Sequence, residues 1–81
     1  MSIERMVFKG QLAELKKKFK SLDTEASGYI ILIRSLLNPY EEDVTKLEVD
    51  KSAQSMARLN SIVLEMQALK SKIQRMEADL E

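Results

Sequence analysis

The chain has 81 residues, 13 basic and 13 acidic side chains, and neither cysteine nor histidine. This length allows one small domain, which we assign to residues 1–81. The missing residue types exclude a disulfide framework and metal sites built on thiolate or imidazole, and the balanced charge gives no bulk attraction to nucleic acid or anionic lipid.

Large apolar side chains recur in the first half of the chain at alternating steps of four and three residues. This heptad spacing is typical of a helix that packs along its length against another helix. Ser2 is suited to cap the first turn, and Asn38-Pro39 ends the pattern because proline disfavours helical backbone at the residue before it. The sequence predicts a first helix over residues 3–37. Its apolar positions are Phe8, Leu12, Leu15, Phe19, Leu22, Ala26, Tyr29, Ile33 and Leu36.

Residues 38–50 have no sustained apolar period and form the predicted connector. Within it, we expect Val44, Leu47 and Val49 to fold back and cover one end of the helices. A single turn is predicted at the start of the connector, where Asn38 precedes proline in the order of a helix cap.

The second predicted helix covers residues 51–80, with Asp50 or Ser52 as its N-cap. Extending its pattern towards the connector meets serines, so we expect Ala53, Met56 and Ala57 to supply the apolar contacts there. Its apolar positions repeat at the same alternating steps: Leu59, Ile62, Met66, Leu69, Ile73, Met76 and Leu80. Two helices of matched length and a connector of this size predict an all-α fold, an antiparallel helical hairpin.

Two stretches, residues 29–33 and 62–64, are apolar on several sides of their helices and not only along the apolar stripe. Ile31 and Leu64 even occupy the heptad position opposite the apolar stripe, where a lone hairpin would expose them. Extensive exposed apolar surface marks a place where more protein packs, so we predict a homodimeric four-helix bundle, with a trimer or a longer-range coiled-coil pairing as the alternative. The predicted oligomer interface, here called the apolar belt, comprises Tyr29, Ile30, Ile31, Leu32, Ile33, Ile62, Val63 and Leu64.

Lysines concentrate in residues 9–20. They suggest an alternative to a protein-interaction function, that of a nucleic-acid-associated regulatory factor. The candidate basic patch comprises Lys16, Lys17, Lys18 and Lys20. Three adjacent lysines point in three directions around a helix, so a solvated helical face is the favoured interpretation, and we do not expect nucleic acid as a partner.

Catalytic and membrane functions find no pattern in the sequence. No Gly-rich phosphate loop or constellation of acid, base and nucleophile is present, so we predict no enzymatic activity, no cofactor and no metal. The longest apolar run, residues 29–33, is far shorter than the roughly 20 residues of a membrane span, and no signal peptide is apparent. We expect a cytoplasmic protein.

Four sequence features together resemble a group of short two-helix proteins found in Mu-like prophages and related bacterial genomes. They are the L-x-x-L-K pattern at Leu12–Lys16, the exit I-R-S-L-L-N-P at Ile33–Pro39, the connector end L-E-V-D at Leu47–Asp50 and the closing segment at Leu69–Leu80. The resemblance covers most of the chain. It implies a phage or prophage accessory protein of the bacterial cytoplasm and supports the hypothesis of an adaptor that modulates a host protein. It assigns no functional residue.

Overall fold

The computed structural model describes residues 2–80 as two long helices joined by a short connector. Helix α1 spans Ile3–Leu36, helix α2 spans Val49–Leu80, and a short 3-10 helix at Val44–Lys46 lies within the connector. No strand occurs in residues 2–80. The principal extents are 64 × 17 × 14 Å, and the radius of gyration is 18.5 Å, against about 12 Å for a compact domain of this length. The predicted all-α hairpin is confirmed.

The two helices run in opposite directions, as their contacts show. Lys16, near the start of the chain, contacts Glu77, whereas Glu25, further along α1, contacts Arg58. Residue numbers therefore rise along α1 as they fall along the facing side of α2. This register places Ala26 opposite Ile62.

Burial follows the heptad pattern. Every apolar position predicted for the two helices is buried or half-buried, and together these positions form the stripe between α1 and α2 that we call the seam. Ile62 is the most buried side chain, at 1% exposed, and the small side chain of Ala26 opposite leaves room for it. Because dispersion and the hydrophobic effect reward close contact along the stripe, the seam sets how the helices pair.

Helix α1 begins at Ile3 and α2 ends at Leu80 as predicted, whereas the two helix ends at the connector differ from the predicted bounds by one or two residues. Ser2 caps α1 as predicted, since its Oγ accepts a hydrogen bond from the Arg5 N–H at 3.2 Å. Helix α2 begins at Val49, so Asp50 and Ser52 both lie within its first turns instead of at its cap. The Ser52 N–H already donates to the Glu48 carbonyl at 3.1 Å, as in a regular helix.

Polar side chains shape the connector. Asn38 Oδ1 accepts from the Tyr40 N–H at 3.0 Å, which forms the predicted turn, and Asp43 accepts from the Thr45 N–H and hydroxyl at 3.1 and 2.6 Å. Leu47 is half-buried, but Val44 and Val49 remain 70% and 54% exposed. The prediction that Val44, Leu47 and Val49 cover the helix ends is therefore wrong for the two valines. Hydrogen bonds between Asp43 and Thr45 hold the connector in a shape that leaves Val44 outside. Val49 is the first residue of α2 and lies beside the apolar stripe of that helix.

The seam continues into the first turns of α2 through serines. Ser52 is 5% exposed and Ser55 is half-buried, whereas Ala53, Met56 and Ala57 are exposed. The prediction that these three residues replace the serines is wrong, because the alternating step of three and four continues to the start of the helix regardless of polarity. Among residues 2–80 the Ser52 Oγ finds no hydrogen-bond partner, so the seam near the connector contains an unsatisfied polar atom.

Replacing Ser52 with alanine should stabilise the hairpin. A buried hydroxyl without a partner costs free energy, and alanine has the highest helix propensity. We expect a gain of about 1 kcal/mol in the free energy of unfolding and a rise of roughly 4–8 °C in melting temperature. Thermal melts followed by circular dichroism at matched protein concentration measure this. Ser61→Ala, the same change at an exposed position of α2, is the control; an equal rise there would attribute the whole effect to helix propensity.

Candidate interaction surface

The hairpin has two long faces on which both helices lie side by side, and each is marked by ion pairs. On one face, Lys16 Nζ lies 3.4 Å from Glu77 Oε2. On the opposite face, Glu25 Oε1 lies 2.9 Å from Arg58 Nη2. We call these faces the Lys16 flank and the Glu25 flank. Each flank also contains the residues that lie a multiple of seven positions from a member of its ion pair on the same helix, because such residues share a side of the helix.

The Glu25 flank is charged along most of its length. Its second ion pair joins Lys18 Nζ to Glu65 Oε1 at 3.0 Å. The hydrogen bond from Arg58 to Glu25 and the charge of that carboxylate raise the pKa of Arg58 above its ordinary value, with a smaller contribution from Tyr29. Exposed pairs of this kind stabilise a fold by less than about 1 kcal/mol each, and they also keep this face polar. Leu32, 44% exposed, is the large apolar side chain here.

The Lys16 flank changes character halfway along the hairpin. Towards the chain ends it is charged, with Lys9, Lys16, Asp23, Lys70 and Glu77 at its heptad positions. Towards the connector, the same positions carry large apolar side chains. We call four of them the flank patch: Ile30, Leu37, Met56 and Val63, which are 45%, 40%, 49% and 38% exposed; Val49, 54% exposed, continues the row at the start of α2. The patch thus presents four half-exposed apolar side chains, two from each helix, on one face.

The structure distributes the predicted apolar belt over several surfaces. Tyr29, Ile33 and Ile62 belong to the seam, and the last two have only 6% and 1% of their surface exposed. Two belt residues, Ile30 and Val63, lie in the flank patch, and one, Leu32, lies on the Glu25 flank. The remaining two, Ile31 and Leu64, point away from the partner helix and are 69% and 58% exposed.

Sequence reasoning missed Leu37 and Met56 as members of an apolar surface. Each lies seven residues from a belt residue of its own helix, Ile30 and Val63 respectively, so a heptad comparison beside the seam could have found both. The belt was recognised instead from apolar residues adjacent in sequence. Such neighbours fall on different sides of a helix.

The candidate basic patch does not form one face. Lys16 pairs with Glu77 on the Lys16 flank, and Lys18 pairs with Glu65 on the Glu25 flank. Lys17 lies between the two flanks on the outer surface. Lys20 follows Lys16 by one helical turn and has no ion pair in the described part of the chain. Carboxylates on α2 thus neutralise two of the four lysines, which weakens the case for a nucleic-acid surface.

Two concave surfaces of residues 2–80 are open grooves between the helices. One is lined by Leu15, Lys72 and Met76, and another by Phe19, Lys70 and Ile73. No group of three or more potential metal ligands converges among these residues. Neither α1 nor α2 has an apolar stretch long enough to cross a membrane.

The surfaces of the hairpin that could bind a partner are the flank patch and the charged Glu25 flank. Comparisons with protein families, curated proteins and solved structures give no match to this chain.

Proposed function

We propose that the protein is a non-enzymatic helical interaction protein whose working form is a homodimeric four-helix bundle. The exposed surface of the single chain is the observation that carries this proposal. The hairpin exposes 6498 Å². A compact monomer of 9.3 kDa exposes about 5,000 Å², so the hairpin has about 1,500 Å² in excess, much of it available for burial against another chain.

The nature of the exposed side chains points the same way. Within residues 2–80, five apolar side chains are buried, with less than about a tenth of their surface exposed: Leu12, Ala26, Ile33, Ile62 and Ile73. By contrast, the flank patch exposes large aliphatic side chains whose burial would release roughly 25 cal/mol per Å² of apolar area. A second hairpin packed over them completes four helices around a common core, which is the usual solution for short antiparallel pairs.

The cellular role that we propose is that of an adaptor acting on a host protein. The resemblance to short proteins of Mu-like prophages supports this role and a cytoplasmic setting. The polar Glu25 flank, with its two ion pairs, would remain accessible to a partner once the apolar surface is covered. Affinity capture from a bacterial lysate with the assembled protein would identify that partner.

The mass of the protein in solution tests the assembly directly. We expect twice the chain mass of 9.3 kDa by light scattering coupled to size exclusion at micromolar concentrations, with dissociation to single chains on dilution. Sedimentation equilibrium gives the dissociation constant. A helical protein that remains a monomer throughout the micromolar range would contradict the proposed function.

A further inference from the structure

We propose that a second copy of this chain docks on the Lys16 flank, with the two hairpins pointing in opposite directions and the two-fold axis passing through the flank patch. This inference rests on the proposed homodimer and adds its face and its direction. The face follows from the distribution of apolar side chains, and the direction follows from the distribution of charge.

The two flanks differ in what burial would cost. Covering the Glu25 flank would remove water from its two ion pairs, and desolvation of charged groups offsets much of their attraction. Covering the Lys16 flank near the connector buries the flank patch, whose four side chains are 38–49% exposed, and leaves the charged half of that flank at the rim. An apolar centre with a polar rim is the usual anatomy of a protein interface.

Charge along the hairpin selects the direction. The connector carries Glu41, Glu42 and Asp43, roughly 10–20 Å beyond the centre of the flank patch at 1.5 Å per residue. Lys20 and Lys70 lie roughly 15–20 Å from the same centre on the other side, and neither joins an ion pair in residues 2–80. Asp23 lies at the same level, so the two lysines leave this part of the flank with a net positive charge. A two-fold axis through the patch therefore brings the connector of each copy to these lysines of the other. Parallel hairpins would instead set carboxylate beside carboxylate, which is repulsive.

The area available in this arrangement is adequate for a dimer. The copies would overlap over roughly 40 Å, from one connector to the other, across the 17 Å width of the hairpin. That overlap gives about 700 Å² per copy, close to the roughly 800 Å² per partner of a standard interface.

A matched pair of substitutions tests the face. Ile30 and Leu32 are 45% and 44% exposed and lie two residues apart on opposite flanks, so Ile30→Lys and Leu32→Lys perturb the single chain equally. We expect Ile30→Lys to raise the dimer dissociation constant at least tenfold and Leu32→Lys to change it less than threefold. Circular dichroism verifies that both stay helical. Dissociation by Leu32→Lys with retention by Ile30→Lys would place the second copy on the Glu25 flank and overturn the proposal.

Disulfide trapping tests the direction, since the native chain has no cysteine. Lys20→Cys and Glu42→Cys proteins are prepared separately, mixed and oxidised mildly. Opposed hairpins should give mainly the mixed disulfide between the two variants. Homodisulfides of Lys20→Cys, or a dimeric mixture without the mixed product, would overturn the opposed direction and leave the dimer itself intact. A monomeric native protein would overturn the proposed function itself.

Discussion

Ile62→Ala should lower the free energy of unfolding by about 2–5 kcal/mol and the melting temperature by roughly 10–30 °C. Ile62 is the most buried side chain of the hairpin, and the residue opposite it is already small. Truncation therefore leaves a cavity between two short side chains, because neither helix can supply atoms to fill it without shifting the seam on both sides. Thermal and urea melts followed by circular dichroism measure the loss.

Leu64→Ala is the matched control for this substitution. It truncates an aliphatic side chain two residues away that is 58% exposed. In the single chain, a change at such a position stays within about 0.5 kcal/mol. A loss at Leu64 as large as that at Ile62 would mean that the outer surface, and not the seam, carries the stability of the protein, which would contradict the packing described above.

Ala26→Leu should destabilise the hairpin by about 1–3 kcal/mol, because three extra carbon atoms enter a space that Ile62 already fills. The same leucine should be favourable when Ile62 is truncated. We expect the double variant Ala26→Leu, Ile62→Ala to recover at least about 1 kcal/mol relative to Ile62→Ala alone, since the leucine occupies the cavity.

The control for leucine itself is Ala13→Leu, an exposed position of α1 at which we expect little change. Melts of the single and double variants form a double-mutant cycle that yields the coupling free energy between positions 26 and 62. Additive effects, with no coupling, would show that Ala26 does not lie opposite Ile62 and that the register of the hairpin is different.

The pairing of the helices could be predicted because the periodicity of apolar residues determines which side of each helix is buried. Every predicted apolar position from Phe8 to Leu36 and from Leu59 to Leu80 is buried or half-buried. The prediction failed at the start of α2, where the heptad spacing decides which side chains are buried even though these side chains are polar. Ser52 lies in the seam because the heptad register reaches it, although its hydroxyl gains no partner in the described part of the chain.

The candidate surface was only partly predictable. Adjacent apolar residues such as Ile30, Ile31 and Leu32 look like one cluster in the sequence, but the helix places them on three sides. Assigning a residue to a flank requires knowing which cross-helix pairs form, for example Lys16 with Glu77. The connector was similarly difficult, because its shape depends on local hydrogen bonds from Asn38 and Asp43 instead of apolar periodicity.

The serines at the connector end of the seam have a consequence for how the hairpin opens. In an elongated pair of helices, each layer of side chains contacts only the layers above and below it, so stability is a sum over neighbours, as in repeat proteins. The layers with Ser52 and Ser55 contribute least apolar contact, whereas Ile62 and Ile73 anchor the middle and the far half. Amide hydrogens near the connector should therefore exchange through local opening at lower free energy than those in the middle of the hairpin, even though the connector covalently joins the helices there.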